Sequence, residues 1–300
     1  MDGAIRLDEL RPAAASVAAD TLDVARFGFH RTHKHRSAKR TFYVTQLLAF
    51  GAAAAALTWC FLNAPAATGG ALHLAAMAVF AFAIVLRFAA AAHVGKLLTP
   101  LAAPPRHPTY TILCPLYREA NVVADLVAAL DRLDYPKHAL DIKLLVESDD
   151  IDTMAAALAF SKPAHIEVVI VPASAPRTKP KALNVGLALA RGEYVVVYDA
   201  EDRPHSQQLL AALAAFERGG NVLACVQAPL DIDNASASWI SRQFAAEYAI
   251  QFREILPLLA RLKLPLPLGG TSNHFRTGLL REVGGWDPYN VREKYRAFAA

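Results

Sequence analysis

Cysteine is scarce in this 300-residue sequence, and the few that occur are poorly spaced for a metal site or a disulfide framework. Cys60, Cys114 and Cys225 lie far apart in apolar runs and form no Cys-x-x-Cys pair. Structural zinc sites and disulfide-rich domains both need cysteines in close or repeated groups. We therefore expect no zinc centre and no disulfides, but buried free thiols in a reducing compartment.

Two common nucleotide-binding signatures are lacking as well. No Gly-x-x-x-x-Gly-Lys-Ser/Thr loop occurs, and no Gly-x-Gly-x-x-Gly follows the first predicted strand, so NAD or FAD binding is unsupported. Strong net charge is also lacking, because 31 basic residues against 27 acidic ones leave a net charge of +4. That balance is mild for the length of the chain and does not indicate a nucleic-acid partner.

Apolar residues, in contrast, are abundant and concentrated near the start. They make up 54% of the chain, and the mean hydropathy is +0.25. Residues 42–62 carry no charge, and residues 71–92 carry one, Arg87, near their end; the turn-like stretch 63–70 separates the two runs. Because about 20 apolar residues suffice for a helix to span a bilayer, the runs predict a transmembrane hairpin. Buried helices of a soluble protein are the alternative.

Basic residues flank the predicted hairpin on both sides. Residues 31–40 form a dense basic run, and Lys96 and Arg106 follow the second apolar run. A basic run can bind nucleic acid, but its position directly before an apolar segment favours a membrane flank. The positive-inside rule then puts both ends and the rest of the chain on the cytoplasmic side of a bacterial-type inner membrane. The predicted organisation is a basic arm (1–41), the hairpin (42–92), a linker (93–108) and a large α/β domain (109–300).

The pattern of the large domain is an alternation of strands and helices. This alternation predicts βαβ units and a mostly parallel sheet, whose right-handed crossovers bring the carboxyl ends of the strands to one edge. The predicted strands are Thr109–Leu113, Ile142–Glu147, Ile166–Val171, Tyr194–Tyr198 and Val222–Gln227.

Polar side chains recur directly after these strands. They are Tyr117 and Glu119 after the first strand, Asp149 and Asp150 after the second, and Asp199, Glu201 and Asp202 after the fourth. One polar group after a strand is usually a helix cap or a turn, but three such groups at one sheet edge favour a binding site. Carboxylates are among the ligands that Mg²⁺ prefers. A basic loop, residues 177–184, precedes a helix and suits an anion, although a solvated loop is the alternative. Acids for a metal and bases for phosphate together indicate a nucleoside diphosphate.

Five motifs in this domain resemble one known family. They are Pro115-Leu-Tyr-Arg-Glu119, Glu147-Ser-Asp-Asp150, Lys179-Pro-Lys-Ala-Leu-Asn184, Asp199-Ala-Glu-Asp202 and Gly269-Gly-Thr-Ser-Asn-His-Phe-Arg276. From about Pro108 to Asn290 the sequence resembles the membrane-bound, cellulose-synthase-like branch of glycosyltransferase family 2. The resemblance implies a GT-A-type α/β fold with a mixed, mostly parallel sheet and flanking helices. It also implies a UDP-type sugar donor, Mg²⁺ or Mn²⁺, and a glycan or lipid acceptor.

The resemblance also implies roles for individual residues. Tyr117 and Glu119 would hold the uridine, Asp149 and Asp150 the base and ribose side, and Lys179 the phosphates. Asp199 and Glu201 would bind the metal and the diphosphate. Gly270, Thr271, Ser272 and His274 would line the acceptor side.

A further helix is predicted over residues 235–261, with a stripe that includes Trp239, Phe244, Tyr248 and Phe252. An apolar stripe at helical spacing predicts core packing. In this branch of the family such a helix can instead lie along the membrane surface, where its arginines would suit anionic headgroups.

The resemblance ends at Val291. Family members continue into Thr-Glu-Asp, whose Asp is the general base, but this sequence continues as Arg292-Glu-Lys and has no Thr-Glu-Asp. We therefore expect a glycosyltransferase domain that is truncated or changes frame before the base, and no catalytic residue is assigned. The alternative function is a catalytically dead fragment that binds a nucleotide sugar.

Overall fold

A six-stranded sheet forms the centre of the α/β domain in the computed structural model, which describes residues 17–92 and 106–290. Its strands are β1 (Tyr110–Leu116), β2 (Leu140–Glu147), β3 (Ile166–Val171), β4 (Tyr194–Val197), β5 (Cys225–Gln227) and β6 (Asn273–Arg276). The order is β3-β2-β1-β4-β6-β5. Strands β1 to β4 pair in parallel, whereas β6 runs antiparallel to both β4 and β5. The mixed, mostly parallel sheet is therefore confirmed.

Helices flank this sheet and are numbered along the whole chain. Those that belong with the sheet are α1 (Ala19–Thr32), α4 (Val123–Asp131), α5 (Ile151–Leu158), α6 (Lys179–Leu189), α7 (Gln208–Gly219) and α10 (Thr277–Glu282). Short 3₁₀ turns lie at Lys137–Ala139 and Gly220–Val222. The second turn explains why β5 begins at Cys225, three residues after the predicted start of the strand.

Both faces of the sheet are buried, as expected for parallel strands covered by helices. In β1, Ile112 and Cys114 join one core cluster, whereas Leu113 between them joins the other. This alternation follows from the two-residue period of a strand. On one face α6 lies very close to the sheet, because a Cβ at Gly186 would meet side-chain atoms of Leu113 and Leu145 at 2.9 Å. The close approach fixes the helix whose first residue is Lys179.

A buried network of charges joins the amino ends of the strands. Asp141 accepts hydrogen bonds from the Thr111 hydroxyl (2.7 Å) and from Nη2 of Arg191 (2.7 Å). Lys143 lies 3.1 Å from Asp141 and 2.7 Å from Glu167. Asp141 and Lys143 are almost completely buried. Burial raises the pKa of Asp141, but the backbone N–H of Arg191, the Thr111 hydroxyl and Lys143 together hold that pKa below its ordinary value.

Strand β6 was not among the predicted strands. Its sequence, Asn-His-Phe-Arg, has only one apolar residue and no alternation from which a strand could be predicted. It forms because it closes the gap between β4 and β5, pairing His274 with both Val196 and Val226. The turn that precedes it therefore lies beside β4.

The described residues divide into two compact units. The first combines those of Met1–Ser37, Pro100–Pro229 and Pro265–Ala300, and contains the sheet. The second combines those of Ala38–Thr99 and Leu230–Leu264. Most of the predicted linker and all of the sequence after Asn290, including the expected change at Arg292, lie outside the described residues.

Two long apolar helices make up the start of the second unit. They are α2 (Val44–Asn63) and α3 (Pro65–Ala91), of 20 and 27 residues. Both are long and apolar enough to cross a membrane by length and composition. The predicted turn over 63–70 is wrong in extent, because the helices are separated at Ala64 alone. The first N–H groups of a helix have no partner within the helix, and Pro65 has no backbone N–H to leave unpaired. Proline therefore suits the first position of α3. Cys60 is exposed on α2, contrary to the expectation of a buried thiol.

The rest of the second unit is α8 (Trp239–Ile250), a π-helical turn (Gln251–Ile255) and α9 (Leu256–Arg261). The prediction of core packing is wrong for α8, none of whose residues is buried. Trp239 and Phe244 are 70% and 58% exposed. The stripe has no sheet to pack against, because this segment belongs to the unit of the apolar helices. An ion pair of 3.0 Å between Arg87 of α3 and Glu247 of α8 joins the two parts of this unit.

Candidate functional site

A pocket of about 330 Å³ opens at the carboxyl ends of β1, β2 and β4. The sequence-predicted residues that line it are Tyr117, Glu119, Lys179, Asp199 and Glu201. These residues come from three of the five motifs, which are far apart in the sequence. The pocket is also lined by Glu147, Arg177 and Thr178. The predicted edge of the sheet thus carries acids and bases within one cavity.

Asp199 is the acid placed directly after β4. Burial raises its pKa, Lys179 opposes that rise, and the negative charge of Glu201 adds to it. A carboxylate in this position is more stable as an anion when a cation lies beside it. In the structure that cation is Lys179, whose Nζ forms an ion pair with Asp199 Oδ1.

Lys179 is the first residue of α6, so its side chain projects from the amino end of that helix. Its Nζ also donates a hydrogen bond of 2.9 Å to the carbonyl of Gly270. Thr178 and Ala182 line the same pocket, so the amino end of α6 faces the cavity with its partial positive charge. Arg177 adds a further cation and pairs with Asp149 at 2.7 Å. This side of the pocket is suited to an anion.

Tyr117 and Glu119 reach the pocket through a tight turn after β1. Arg118 between them has a φ of 58°, in the left-handed region. The Tyr117 backbone N–H donates to Glu119 Oε2 at 3.1 Å, and the Glu119 backbone N–H donates to the Thr153 hydroxyl at 3.0 Å. Burial raises the pKa of Glu119; the hydrogen bond from Tyr117 lowers it, and the charges of Glu201 and Asp199 raise it.

Asp149 and Asp150 do not line this pocket. Asp150 is almost buried and caps α5 by accepting the Thr153 backbone N–H at 3.3 Å. Its other carboxylate oxygen accepts the backbone N–H of Arg118. Asp150 therefore shapes the turn that carries Tyr117 and Glu119. Asp149 reaches the site through its ion pair with Arg177.

The Gly270–Ser272 segment lies beside the acidic turn, residues 199–202, and is hydrogen-bonded to it. The Thr271 hydroxyl bonds to the carboxylate of Asp202, and the Asp199 backbone N–H donates to the same carboxylate at 2.7 Å. The Ser272 backbone N–H donates to the Val197 carbonyl at 2.8 Å, so this segment extends the pairing with β4. Burial raises the pKa of Asp202 to about 6. Thr271 and Ser272 are both buried.

His274 lies in the core and does not line an acceptor surface, which corrects the role implied for it. It is 0% exposed, and its Nδ1 is hydrogen-bonded to the Tyr110 hydroxyl at 2.7 Å. Its Nε2 has no hydrogen-bond partner among the described residues. Because β6 lies between β4 and β5, this side chain packs in an aromatic cluster with the rings of Tyr110 and Tyr198. Burial lowers the pKa of His274 to about 3.

This buried histidine makes stability depend on pH. The unfolded chain protonates His274 below a pH of about 6.5, whereas the folded protein keeps it neutral down to about 3. Its contribution to stability is therefore complete above pH 6.5 and is lost as the pH falls. Between pH 7 and 5 this loss amounts to about 2 kcal/mol. We expect His274→Gln to remove that part of the pH dependence.

The measurement is the free energy of unfolding, from urea titrations in detergent at pH 7 and pH 5. His138, which is exposed, is replaced by glutamine as the matched control and should retain the wild-type dependence. Equal losses between pH 7 and 5 in wild type and His274→Gln would contradict the prediction.

Two carboxylates of this pocket could take part in holding a divalent ion. Among the described residues no group of three or more histidine, cysteine or acidic side chains is poised to hold a metal. Asp199 and Glu201 supply two carboxylates, and Mg²⁺ typically takes one or two carboxylates plus substrate phosphates. The ion pair of Asp199 with Lys179 shows that this carboxylate already attracts a cation.

Two features near the pocket were not predicted from the sequence. Lys181 is completely buried and forms an ion pair of 2.7 Å with Glu147, a residue that lines the pocket. Asn184 links α6 to two distant segments through its side-chain amide. The one signal for Lys181 was its place among apolar helical neighbours, where a lysine needs a partner. For Asn184 no local signal existed, because its partners lie more than 100 residues away.

Comparisons with known proteins give a consistent result. A family model described as "Glycosyltransferase like family 2" matches residues 105–295. The sequence is 27% identical over 192 residues to a probable glycosyltransferase, YdaM, of Bacillus subtilis, covering 62% of this chain and 44% of that protein. It is 26% identical over 193 residues to a beta-monoglucosyldiacylglycerol synthase of a Nostoc species, covering 62% of this chain and 39% of that protein. The chain thus spans less than half the length of these relatives.

Among solved structures, one match is the mannosyltransferase PcManGT from Pyrobaculum calidifontis, in complex with GDP-Man and Mn²⁺. Its sequence identity is 21% and its TM-score 0.48, and the match covers 71% of this chain and 61% of that chain. Another is TarS from S. aureus in complex with UDP-GlcNAc, with 17% identity, a TM-score of 0.42, and coverage of 58% and 47%.

Proposed function

Since this chain belongs to the glycosyltransferase-like family 2, we propose that it transfers a sugar from a UDP-type donor to a glycan or lipid acceptor. The observation that carries the proposal is the charge arrangement of the pocket. Acids that follow β4 and cations at the amino end of α6 line one cavity at the carboxyl edge of the sheet, where Lys179 and Asp199 are in contact. Ligands of open α/β sheets bind at that edge.

The pocket residues suggest how a donor would be held. Lys179 and Arg177 would bind the diphosphate, whose negative charge increases as the sugar departs. Mg²⁺ or Mn²⁺ held by Asp199 and Glu201 would neutralise part of that charge. Tyr117, 44% exposed, offers an aromatic face to the uracil, and Glu119 a hydrogen-bond acceptor to the uridine. On the base and ribose side, Asp150 would act through the turn that carries Tyr117 and Glu119. Asp149, which the resemblance implies for the same side, would also orient Arg177 through their ion pair.

The acceptor side would lie next to the Gly270–Ser272 segment. Its Gly270 carbonyl already contacts Lys179, so this segment borders the place proposed for the departing diphosphate. Thr271 and Ser272 are buried against β4, so we propose that they position the acidic turn rather than bind the acceptor directly.

Titration of UDP into the full chain in detergent, followed by calorimetry, tests this function. With Mn²⁺ we expect saturable binding that EDTA abolishes, weaker binding of GDP, and release of UDP from a UDP-sugar. Binding without any release of UDP would favour a nucleotide-sugar-binding protein that does not catalyse transfer. Absence of UDP binding with Mn²⁺ present would overturn the proposal.

We also propose that α2 and α3 insert into a membrane as a hairpin, with both ends on the cytoplasmic side. Their large apolar side chains are exposed along their length, and water would not favour that exposure. The exposed Trp239 and Phe244 of α8, in the same unit, suit a position at the membrane surface.

Labelling of introduced cysteines tests this topology. In a Cys60→Ser background, Ala64→Cys should react with a membrane-impermeant maleimide added to intact cells. Thr41→Cys should react only after lysis, because it precedes α2 on the cytoplasmic side. The buried Cys114 should stay unreactive, since burial raises the pKa of its thiol. The reverse labelling pattern would contradict the orientation, and extraction of the protein without detergent would contradict insertion.

A further inference from the structure

Helix α1 lies in the predicted arm, mostly before the basic run 31–40, and the sequence indicated no role for it. In the structure it packs along α6. Its Ala25 is 2% exposed and belongs to the same core cluster as residues of α6. The Ala25 carbonyl accepts a hydrogen bond of 3.1 Å from Asn184 Nδ2. The arm is thus part of the unit that contains the pocket.

A second contact joins α1 to the loop that carries Arg177. Arg26 Nε donates a hydrogen bond of 2.7 Å to the carbonyl of Ala175. From inside the protein, Lys181 Nζ donates to the carbonyls of Pro172 and Ser174, each at 3.3 Å. The loop before α6 is therefore hydrogen-bonded on two sides, by Lys181 from the interior and by Arg26 of α1 from the surface.

A third set of contacts joins α6, the residue before it and the end of the arm to the segment after α10. Asn184 accepts the Trp286 backbone N–H and donates to the Trp286 carbonyl, both at 2.8 Å. Gly285 has a φ of +70°, and a Cβ there would lie 2.5 Å from Asn184 Oδ1, so this position requires glycine. The Ser37 hydroxyl donates to Asp287 at 3.2 Å, and the Thr178 hydroxyl donates to the Pro288 carbonyl at 2.7 Å.

We propose that α1 is a positioning element of the donor pocket and that Arg26 is its positioning residue. By holding the Ala175 carbonyl, Arg26 restricts the loop so that Arg177 stays at the pocket. Arg177 is 56% exposed, and an unrestrained loop would have to be ordered each time a ligand binds, at a cost in entropy. Because α1 already restricts the loop, less conformational entropy is lost when the ligand binds. This inference rests on the proposed function for the identity of the ligand, UDP.

Three variants of the full chain test this role. Arg26→Ala should raise the Kd for UDP with Mn²⁺ by about 3- to 10-fold, the range that corresponds to one hydrogen bond. Arg26→Lys, which can still donate to the Ala175 carbonyl, should restore the Kd to within about two-fold. Arg31→Ala is the matched control and should bind as wild type, because Arg31 pairs with Asp23 within α1 itself. Melting temperatures should be the same for all four proteins, since Arg26 is not in the core.

Hydrogen exchange without nucleotide separates this inference from the proposed function. Arg26→Ala should exchange faster than wild type at the amides of residues 173–178, whereas Arg31→Ala should not. If wild type fails to bind UDP but the exchange differs as described, the proposed function fails and the positioning role of Arg26 stands. Unchanged exchange in Arg26→Ala, or a wild-type Kd for UDP in that variant, would overturn the inference.

Discussion

Replacing Asp199 with asparagine is expected to lower the affinity for UDP with Mn²⁺ by about 100-fold or more. Asp199 is the more enclosed of the two carboxylates proposed to bind the metal, and its Oδ1 contacts Lys179 Nζ. Asparagine keeps the shape of the side chain but removes the negative charge. The variant therefore loses the attraction for a divalent ion and also releases Lys179 from its ion pair.

Calorimetric titration of UDP with Mn²⁺ measures this effect, and release of UDP from a UDP-sugar should fall in parallel. Asp152→Asn serves as the control, because Asp152 is an exposed acid outside the pocket. Glu201→Gln should show a smaller loss than Asp199→Asn, since Glu201 is exposed to solvent. If Asp199→Asn bound UDP with wild-type affinity and the same Mn²⁺ dependence, the metal site would have to lie elsewhere.

Replacing Asp141 with alanine is expected to lower the free energy of unfolding by about 3–5 kcal/mol, the cost of breaking a buried ion pair. The substitution leaves Lys143 buried with Glu167 as its remaining ion-pair partner. It also removes the acceptor for the Thr111 hydroxyl and for the backbone N–H of Arg191. Because the folded pKa of Asp141 is lowered, its contribution is present above its unfolded pKa of about 3.9 and is lost as the pH falls below that value.

Thermal unfolding followed by tryptophan fluorescence measures this loss, which corresponds to a fall in Tm of roughly 6–20 °C. Asp141→Asn should lose less than Asp141→Ala, because the amide oxygen still accepts a hydrogen bond. Asp125→Ala is the matched control: Asp125 pairs with Arg203 on the surface, so its loss should leave Tm unchanged. A Tm of Asp141→Ala equal to that of wild type would show that the buried charge network around Asp141 does not stabilise the fold.

The two substitutions should have separable effects on stability and on UDP binding. The reason is that the charged network around Asp141 and the charged pocket around Asp199 lie at opposite ends of the parallel strands. Asp141 follows the amino end of β2, whereas Glu147 at its carboxyl end lines the pocket. At temperatures where Asp141→Ala is folded, we expect it to bind UDP with wild-type affinity. Asp199→Asn should show the opposite result, with UDP affinity lost and Tm retained.

The parallel part of the sheet, strands β1 to β4, was predictable from the sequence. Apolar, β-branched runs such as Tyr194–Val197 are local signals, and their alternation with helices predicts parallel pairing. Parallel pairing in turn predicts one edge with Glu119, Lys179 and Asp199 together, as the structure shows. The motifs supplied the family, which the match to residues 105–295 confirms.

The tertiary structure alone decided what each polar side chain contacts. It placed Asp150 at the cap of α5, His274 in the aromatic core and the stripe of α8 on an exposed surface. It also packed α1 against α6 and against the loop that carries Arg177, through contacts between residues 149 and 159 positions apart. The physical reason is that the periodicity of apolar residues is a local property. It shows which face of a helix or strand is apolar. Which distant segment covers that face depends on how the whole chain packs, and no short stretch of sequence carries that information.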